Sequence, residues 1–301
     1  MKHLFRLTGH EYGGQCVEVS EHVLYSASMD FSLKTWNLET QTLLDSHTDH
    51  CDYVQCMAIK TAGDQEEMVA TGGKGDREIF VYKSSTGKLT QMHCLRGHNG
   101  WIIQLLFDQQ NHLLSASEDT TIRLWHLVSG EVIHILSQDT GISCLTASKL
   151  RNKEDDVMLF GDRDGKLSYL DLETLQVLHL LPNILIGTGK YCRSSKYHDK
   201  AVDNAFLTDN GYLISGSAGS KYLKIWKIKT PLEYGYTEED GCPEYDLEAT
   251  EVRELQILRD HTDYLTCIKV FGNTIYSSCS DGEVIEKYLK YKYKYSSQKS
   301  I

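Results

Sequence analysis

The sequence has little of several features that mark particular classes of protein. Only 3 of its 301 residues are proline, and low proline with an ordinary apolar content argues against a disordered or collagen-like chain. The chain contains no apolar run near the roughly 18–20 residues that a membrane-spanning helix needs. Residues 1–14 lack the apolar stretch of a secretory signal, so we expect no such signal.

Positive charge is also scarce. The chain carries 31 lysine and arginine residues against 42 aspartate and glutamate residues, which gives a net charge of −11. Binding to nucleic acids depends largely on neutralisation of phosphates by lysine and arginine. We therefore expect no direct nucleic-acid partner.

Nine cysteines are present, and their odd number in a long chain argues against a secreted disulfide scaffold. At three places a cysteine stands two positions after a valine, isoleucine or leucine, namely at Cys56, Cys144 and Cys267. Cys16 has an equivalent place. This recurrence predicts small buried side chains in one repeated strand. We expect a reducing compartment, namely the cytoplasm, with the nucleus as the alternative.

Two segments of the chain are near copies of each other. Residues 24–36 read LYSASMDFSLKTW and residues 113–125 read LLSASEDTTIRLW, and in each an aspartate stands six residues before a tryptophan. Gly9-His10 precedes the first copy and Gly97-His98 the second. Weaker copies with the same spacing end at residues 82, 170, 226 and 287. Internal repetition of this period is typical of propellers and solenoids.

This Gly-His…Asp-x5-Trp repeat resembles the WD40 family, and the resemblance covers nearly the whole chain. It implies an all-β fold, a closed β-propeller of four-stranded antiparallel blades around a central channel. Six copies predict six blades, with a degenerate seventh blade as the alternative. Residues 3–7 match an outer strand, so we expect the N-terminal strand to complete the last blade. The propeller would span residues 1–289, followed by a Lys/Tyr-rich tail at 290–301.

Two insertions lengthen the last repeats, and they hold all three prolines. In residues 182–199 the sequence shows no pair of strands, and we expect this segment on the propeller's top face, where the turns before the third strands lie. Residues 229–251 are strongly acidic and are expected on the opposite face.

The resemblance also assigns a repeated hydrogen-bonded network within the blades. Its members are His10, Ser26, Asp30 and Trp36 in the first unit, His98, Ser115, Asp119 and Trp125 in the third, and His261, Ser277 and Asp281 in the sixth. The second unit has one extra residue in its turn and the fourth lacks the histidine and tryptophan, so we expect the second, fourth and sixth blades to be looser. Although histidine, serine and aspartate resemble a hydrolase triad, such a triad occurs once per enzyme. We expect no catalytic residue and no enzyme activity.

No cofactor or metal site is expected. His47, His50, Cys51 and Cys56 are metal-capable side chains close together, but His50 and Cys56 hold repeat positions, which leaves too few free ligands.

The remaining candidate is a binding surface on the top face. Three residues after the repeat histidine the chain has Tyr53, Trp101 and Tyr264. The residues before the turn aspartate are Met29, Gly75, Glu118, Arg163 and Ser280. Lys190 and Arg193 lie in the first insertion. We predict that Tyr53, Trp101, Tyr264, Met29, Glu118, Arg163, Lys190 and Arg193 bind a partner.

The predicted function is a non-catalytic scaffold or adaptor that binds peptides or proteins around the central channel. We expect a monomeric propeller that works within a larger complex. The alternative is a module that recognises modified peptides, for example phosphorylated ones, in such a complex. That alternative needs several arginines to converge, and Arg77, Arg163, Lys190 and Arg193 are the candidates.

Overall fold

The structure is a computed structural model, and it describes residues 7–63, 66–108, 110–149, 156–171, 177–179, 183–186, 190–193, 202, 204–208, 212–217, 221–229, 251–261, 265–271, 274–279 and 284–288. Every helix or strand assigned within these ranges is a strand. The all-β class implied by the resemblance to the WD40 repeat is confirmed.

Four-stranded antiparallel sheets follow one another along the chain. The first contains β1 (Gly14–Val19), β2 (Val23–Ser28), β3 (Leu33–Asn37) and β4 (Leu43–His47). The second contains β5 (Val54–Gly63), β6 (Glu66–Gly73), β7 (Ile79–Ser85) and β8 (Lys88–Leu95). The third contains β9 (Ile102–Phe107), β10 (His112–Ser117), β11 (Thr121–His126) and β12 (Glu131–Ser137). The fourth contains β13 (Ile142–Lys149), β14 (Asp156–Asp162), β15 (Leu167–Asp171) and β16 (Val177–His179).

The second half of the chain is less regular. A two-stranded sheet of β17 (Asn183–Ile186) and β18 (Lys190–Arg193) follows the fourth sheet. The fifth sheet contains β19 (Asn204–Leu207), β20 (Tyr212–Gly216), β21 (Leu223–Lys229) and β22 (Glu251–Leu258). The sixth contains β23 (Leu265–Phe271), β24 (Thr274–Cys279) and β25 (Val284–Tyr288). The fourth strand predicted for this last sheet, at residues 3–7, lies outside the described residues except for Leu7.

The apolar core lies between successive sheets. The first strand of each sheet packs against the first strand of the next, from β1 through β5, β9, β13 and β19 to β23. One buried cluster, for example, joins Cys56 and Ala70 of the second sheet to Ile102 and Leu113 of the third. Each sheet thus buries its apolar faces against its neighbours, as in other propellers.

The first and last sheets also approach each other. Burial raises the pKa of Glu18 on β1, and the positive charge of Lys269 on β23 lowers it in part. For Lys269 to act on this carboxyl, β23 must lie near β1.

The cysteine pattern marks the first strand of the sheets, as predicted. Cys16, Cys56, Cys144 and Cys267 are each the third residue of such a strand, directly after a shift in register with the second strand. Burial raises the pKa of Cys16 to about 12 and that of Cys56 well above its ordinary value. These two thiols stay protonated, so they act as small apolar side chains.

The structure tests the prediction for the first of the two insertions. The prediction that residues 182–199 hold no pair of strands is wrong, because β17 and β18 pair with each other there. Strand β17 packs against β22, the outer strand of the fifth sheet. In the second insertion, Lys229 pairs with Glu251, so residues 230–250 connect β21 to β22. Residues 230–250 themselves, and with them the predicted position of this acidic insertion, lie outside the described residues.

Gly72 on β6 shows how closely adjacent sheets approach. A Cβ atom at this position would lie 2.6 Å from Cγ2 of Ile102 in the next sheet and 2.8 Å from Sγ of Cys56. We expect Gly72→Ala to lower the free energy of unfolding by about 1–3 kcal/mol, because overpacking forces neighbouring strands apart. Chemical denaturation followed by tryptophan fluorescence measures the change.

The matched control is Gly14→Ala on β1, where the nearest atom to a new Cβ is the carbonyl oxygen of Ala27 at 4.0 Å. This control should change stability by no more than about 1 kcal/mol. Equal stability of the two variants would contradict the close packing of the second and third sheets.

Candidate functional site

A buried chain of hydrogen bonds closes the top end of the first and third sheets. In the third sheet, Nδ1 of His98 lies 2.8 Å from Oδ2 of Asp119 and Nε2 lies 2.7 Å from Oγ of Ser115. The indole N–H of Trp125 donates to the same serine oxygen over 2.8 Å. One assignment of protons satisfies all three contacts: the indole donates to Ser115, Ser115 to Nε2, and Nδ1–H to Asp119.

The first sheet repeats this geometry with its own residues. His10 lies 2.9 Å from Asp30 and 2.7 Å from Ser26, and the indole of Trp36 donates to Ser26 over 2.8 Å. The network predicted for these two units is therefore present in full. In the sixth sheet Nε2 of His261 lies 2.7 Å from Oγ of Ser277, while Asp281 lies outside the described residues.

The second sheet has a complete network that the sequence did not predict. Nδ1 of His50 lies 2.7 Å from Oδ2 of Asp76, and Nε2 lies 2.9 Å from Oγ1 of Thr71. Thr71 replaces the serine, and Tyr82 stands in the tryptophan position and donates to Asp49 over 2.9 Å. The expectation that this sheet is looser does not hold at its top end. The signal available in the sequence was the hydroxyl that threonine shares with serine.

The surroundings of these networks keep the turn aspartates charged and His98 neutral near pH 7. Burial alone would raise the pKa of Asp119, but hydrogen bonds from Thr121, the Asn99 backbone and His98 lower it to about 2. Similar bonds depress the pKa values of Asp30 and Asp76 against the effect of burial. Burial lowers the pKa of His98, and Asp119 reverses only part of that shift.

The buried geometry argues against nucleophilic catalysis at these positions. Ser115 is 0% exposed, and its oxygen already contacts both His98 and Trp125. A nucleophile must reach its substrate, and this hydroxyl cannot. The network instead fixes the turn that carries Asp119.

That turn has the same backbone geometry in four sheets, and it sets the top face. The backbone N–H groups of Met29, Glu118 and Arg163 donate to the carbonyl groups of Gly13, Trp101 and Gly141. In the second sheet the equivalent donor is Lys74, which bonds to the carbonyl of Tyr53 over 2.9 Å. The assignment of Gly75 to this position is therefore wrong, because the extra residue of this turn follows Lys74.

Exposed aromatic rings occupy the top face from the first sheet to the third. Phe31, Tyr53 and Trp101 are 39%, 38% and 41% exposed. The rings of Phe31 and Tyr53 lie 5.9 Å apart between centroids, and Nζ of Lys74 lies 4.1 Å from the centre of the Trp101 ring. Lys74 thus connects Tyr53, through its backbone, to Trp101, through its side chain.

The other predicted binding residues are arranged differently. Arg163 forms an ion pair with Glu118 across the third and fourth sheets. Lys190 and Arg193 lie at the two ends of β18, in the hairpin whose β17 packs against β22. Tyr264 lies outside the described residues. The described contacts bring Glu118 and Arg163 together, and the side chains of Lys190 and Arg193 lie outside the described part of the structure.

Two top-face residues, Phe31 and Lys74, were missed in the sequence. Phe31 directly follows the turn aspartate and has a φ of 69°, and Arg77 and Thr120 hold the same position with φ of 60° and 71°. The repeat spacing could have identified this turn position. Lys74 was missed because the extra residue in its turn shifts the count of residues before Asp76.

Neither a metal-binding cluster nor a membrane-spanning helix is present among the described residues. Within the described ranges, no group of three or more histidine, cysteine, aspartate or glutamate side chains is arranged to hold a metal ion. None of the described segments is a helix long and apolar enough to cross a membrane.

Comparison with known proteins agrees with this geometry. Residues 89–126 match the family described as WD domain, G-beta repeat. The chain is 26% identical over 217 residues to a Periodic tryptophan protein 2 homolog of Dictyostelium discoideum, covering 69% of this chain and 23% of that protein. It is 32% identical over 107 residues to the Ribosome biogenesis protein ytm1 of Pyrenophora tritici-repentis, covering 35% and 22% of the two chains. The chain thus spans under a quarter of the length of these two relatives.

A solved structure shows the same fold over most of the chain. The structure titled Structure of U3-55K superposes with a TM-score of 0.69 at 16% identity and covers 93% of this chain and 78% of that one. At this level of identity the likeness concerns the fold.

Removal of the turn aspartate should destabilise the third sheet. In Asp119→Ala, the buried Nδ1–H of His98 and the N–H of Asn99 lose their acceptor. We expect the free energy of unfolding to fall by about 2–4 kcal/mol, measured by chemical denaturation. Asp139→Ala, at an exposed aspartate after β12, should stay within about 0.5 kcal/mol of the wild type. Similar losses in both variants would contradict a buried network.

Stability should also fall in two stages as the pH is lowered. The folded pKa of His98 is below its ordinary value of 6.5, so the unfolded chain binds the proton more readily and stability decreases below about pH 6.5. The folded pKa of Asp119 is about 2 against 3.8, so its contribution is present above about pH 3.8 and is lost between pH 3.8 and 2.

Thermal unfolding between pH 8 and 5 checks the first stage. His98→Gln removes the titrating ring, so the fall in unfolding midpoint over this range should be smaller than in the wild type. An identical pH dependence in both proteins would show that His98 does not titrate as described.

Proposed function

Because the chain is a WD40-repeat protein with the β-propeller fold, we propose that it is a non-catalytic scaffold or adaptor that binds a protein or peptide segment on its top face. The observation that carries this proposal is the row of Phe31, Tyr53 and Trp101, each more than a third exposed on turns held by buried networks. Large rings on a rigid frame lose little entropy when a partner binds. Such rings are enriched among the residues that contribute most to binding.

Rigidity is what the networks supply to such a function. Asp30 and Asp119 each accept a hydrogen bond from a histidine ring. Each also accepts one from a backbone N–H of the entry loop and one from the backbone N–H two residues after the aspartate. The entry loop that carries Trp101 is thereby tied to the turn that carries Glu118. A partner would meet a preformed surface.

The module for phosphorylated peptides has less support. A phosphate site of this type usually needs several converging arginines. Arg163 is already neutralised by Glu118, and Lys190 and Arg193 lie on the hairpin whose β17 packs against the fifth sheet. Of the described arginine side chains among these candidates, Arg77 is the one without an ion pair to a carboxylate.

A role in ribosome biogenesis is a second candidate, favoured by the 32% identity to the relative named for that process. The matched segment is about a third of this chain, so the similarity also fits a shared repeat alone. If this candidate is correct, the chain works in the nucleus rather than in the cytoplasm that its cysteines suggested.

The scaffold proposal can be tested by comparing partners of the wild type and of Trp101→Ala. We expect affinity purification followed by quantitative mass spectrometry to recover the main partner from the wild type and at least about tenfold less of it from the variant, since a central aromatic contact is worth about 1.4 kcal/mol or more.

Val128→Ala is the matched control. Val128 is 75% exposed and lies between β11 and β12, at the opposite end of the same sheet. It should retain the full partner set. Loss of partners in Val128→Ala with retention in Trp101→Ala would move the binding surface to the other face and overturn the proposal.

A further inference from the structure

Strand β12 is the outer edge of the third sheet. The strands of this sheet lie in the order β12, β11, β10, β9, so β12 pairs with β11 on one side, and no other described strand pairs with it on the other. An edge of this kind presents backbone N–H and C=O groups to any strand that can pair with them. Proteins usually protect such edges with charged side chains, with proline or by keeping the strand short.

The apolar surface of β12 distinguishes it from the other outer strands. Val132, Ile133 and Ile135 are 39%, 48% and 44% exposed. Among the described side chains, the outer strands β4, β8 and β22 each expose one large apolar residue, namely Leu43, Met92 and Leu255. Residues 132–137 contain no acidic residue, lysine, arginine or proline. This edge therefore lacks the usual protection, and its exposed residues are β-branched types that favour strands.

The hydrogen bonds of β12 show which of its backbone groups face outward. The N–H of Gln138 donates to the carbonyl oxygen of Thr120 over 2.9 Å, so it points toward β11. Because backbone groups alternate in direction along an antiparallel strand, the N–H and C=O groups of Ser137 and Ile135 point away from β11. The shift in register between β11 and β12 lies at Ile133, so the edge after it is regular.

A further strand at an outer strand already occurs within this chain. Strand β17 packs against β22, the outer strand of the fifth sheet. In the third sheet, no described strand takes the corresponding place beside β12. The rim of a sheet in this fold thus accommodates one more strand.

We propose that β12 pairs antiparallel with β12 of a second copy of this chain, so that the protein forms a two-fold symmetric dimer through the rim of the third sheet. The N–H and C=O groups of Ile135 in one copy bond to the C=O and N–H groups of Ile135 in the other. Residues 133–137 of the two copies then face each other. This inference goes beyond the proposed function, which concerns the top face, and it departs from the monomer expected from the sequence.

Charge and symmetry favour a second copy over a strand of a different protein. An apolar edge accepts an uncharged strand, because a charged side chain placed there would lose water without gaining a partner. Residues 133–137 have this composition themselves, and pairing them with their own copy brings no like charges opposite each other. A two-fold dimer also needs only one self-complementary surface.

The negative charge of the chain opposes this association only weakly. Each copy carries a net charge of −11, but exposed charges more than about 8 Å apart are largely screened at physiological ionic strength. The contact itself is made by uncharged residues. The dimer should therefore form at physiological salt.

The test measures the mass of the whole chain by sedimentation equilibrium over a dilution series at physiological ionic strength. We expect a concentration-dependent equilibrium between monomer and dimer in the wild type. Ile135→Lys should raise the dissociation constant of the dimer by at least about tenfold, because the two-fold axis would place two lysines opposite each other. Ile135→Pro should weaken the dimer by a similar factor, because it keeps an apolar side chain but removes the outward N–H.

Met92→Lys is the matched control. Met92 lies on β8, the outer strand of the second sheet, and is 43% exposed against 44% for Ile135. This variant should have the dissociation constant of the wild type. Equal weakening by Met92→Lys and Ile135→Lys, or persistence of the dimer in Ile135→Lys, would overturn the proposal. A dimer that Ile135→Lys abolishes but Ile135→Pro retains would overturn strand pairing in favour of a contact between apolar side chains.

A wild type that stays monomeric up to about 1 mM would also overturn the proposal. If Ile135→Lys then lost a partner that the wild type recovers from cells, the occupant of β12 would be a strand of another protein. Neither result bears on the scaffold proposal, because that proposal depends on Trp101 and the top face.

Discussion

The first three sheets depend on one constraint: a histidine at the top of the sheet must find hydrogen-bond partners for both ring nitrogens. In the first three sheets these partners are an aspartate from the turn and a hydroxyl from the second strand. An unsatisfied buried nitrogen would cost about 1–3 kcal/mol. The bond between histidine and aspartate therefore ties the entry loop of each sheet to the turn between its second and third strands.

This tie explains why the top face is both structured and variable. The network residues are interior and similar from sheet to sheet, whereas the residue after the turn aspartate points outward with a positive φ and differs each time, being Phe31, Arg77 and Thr120. Because the backbone of the turn is fixed by the aspartate, the outward side chain can change without loss of the network. The outward side chains can thus differ from sheet to sheet while the hydrogen-bonded network stays the same.

The resemblance to the WD40 repeat, carried by the recurring motif, predicted the four-stranded sheets and the networks of the first and third sheets. It did not predict the network of the second sheet, since Thr71 and Tyr82 differ in type from their counterparts while supplying the same hydroxyl and bulk. The repeat in the sequence also did not predict the contacts between sheets. The pairing of Arg163 with Glu118, and of Lys74 with Trp101, joins residues of different repeats whose distance depends on how the sheets pack.

Because of these contacts between repeats, the top face differs from one end to the other. Moving along the face from the first sheet to the fourth, the junctions change from ring on ring, to cation on ring, to a closed ion pair. At the middle junction, Lys74 lies over the Trp101 ring and forms no ion pair within 4 Å among the described residues. A chain of identical repeats would have the same junction everywhere, so the departures from the repeat are what would orient a partner on the proposed surface.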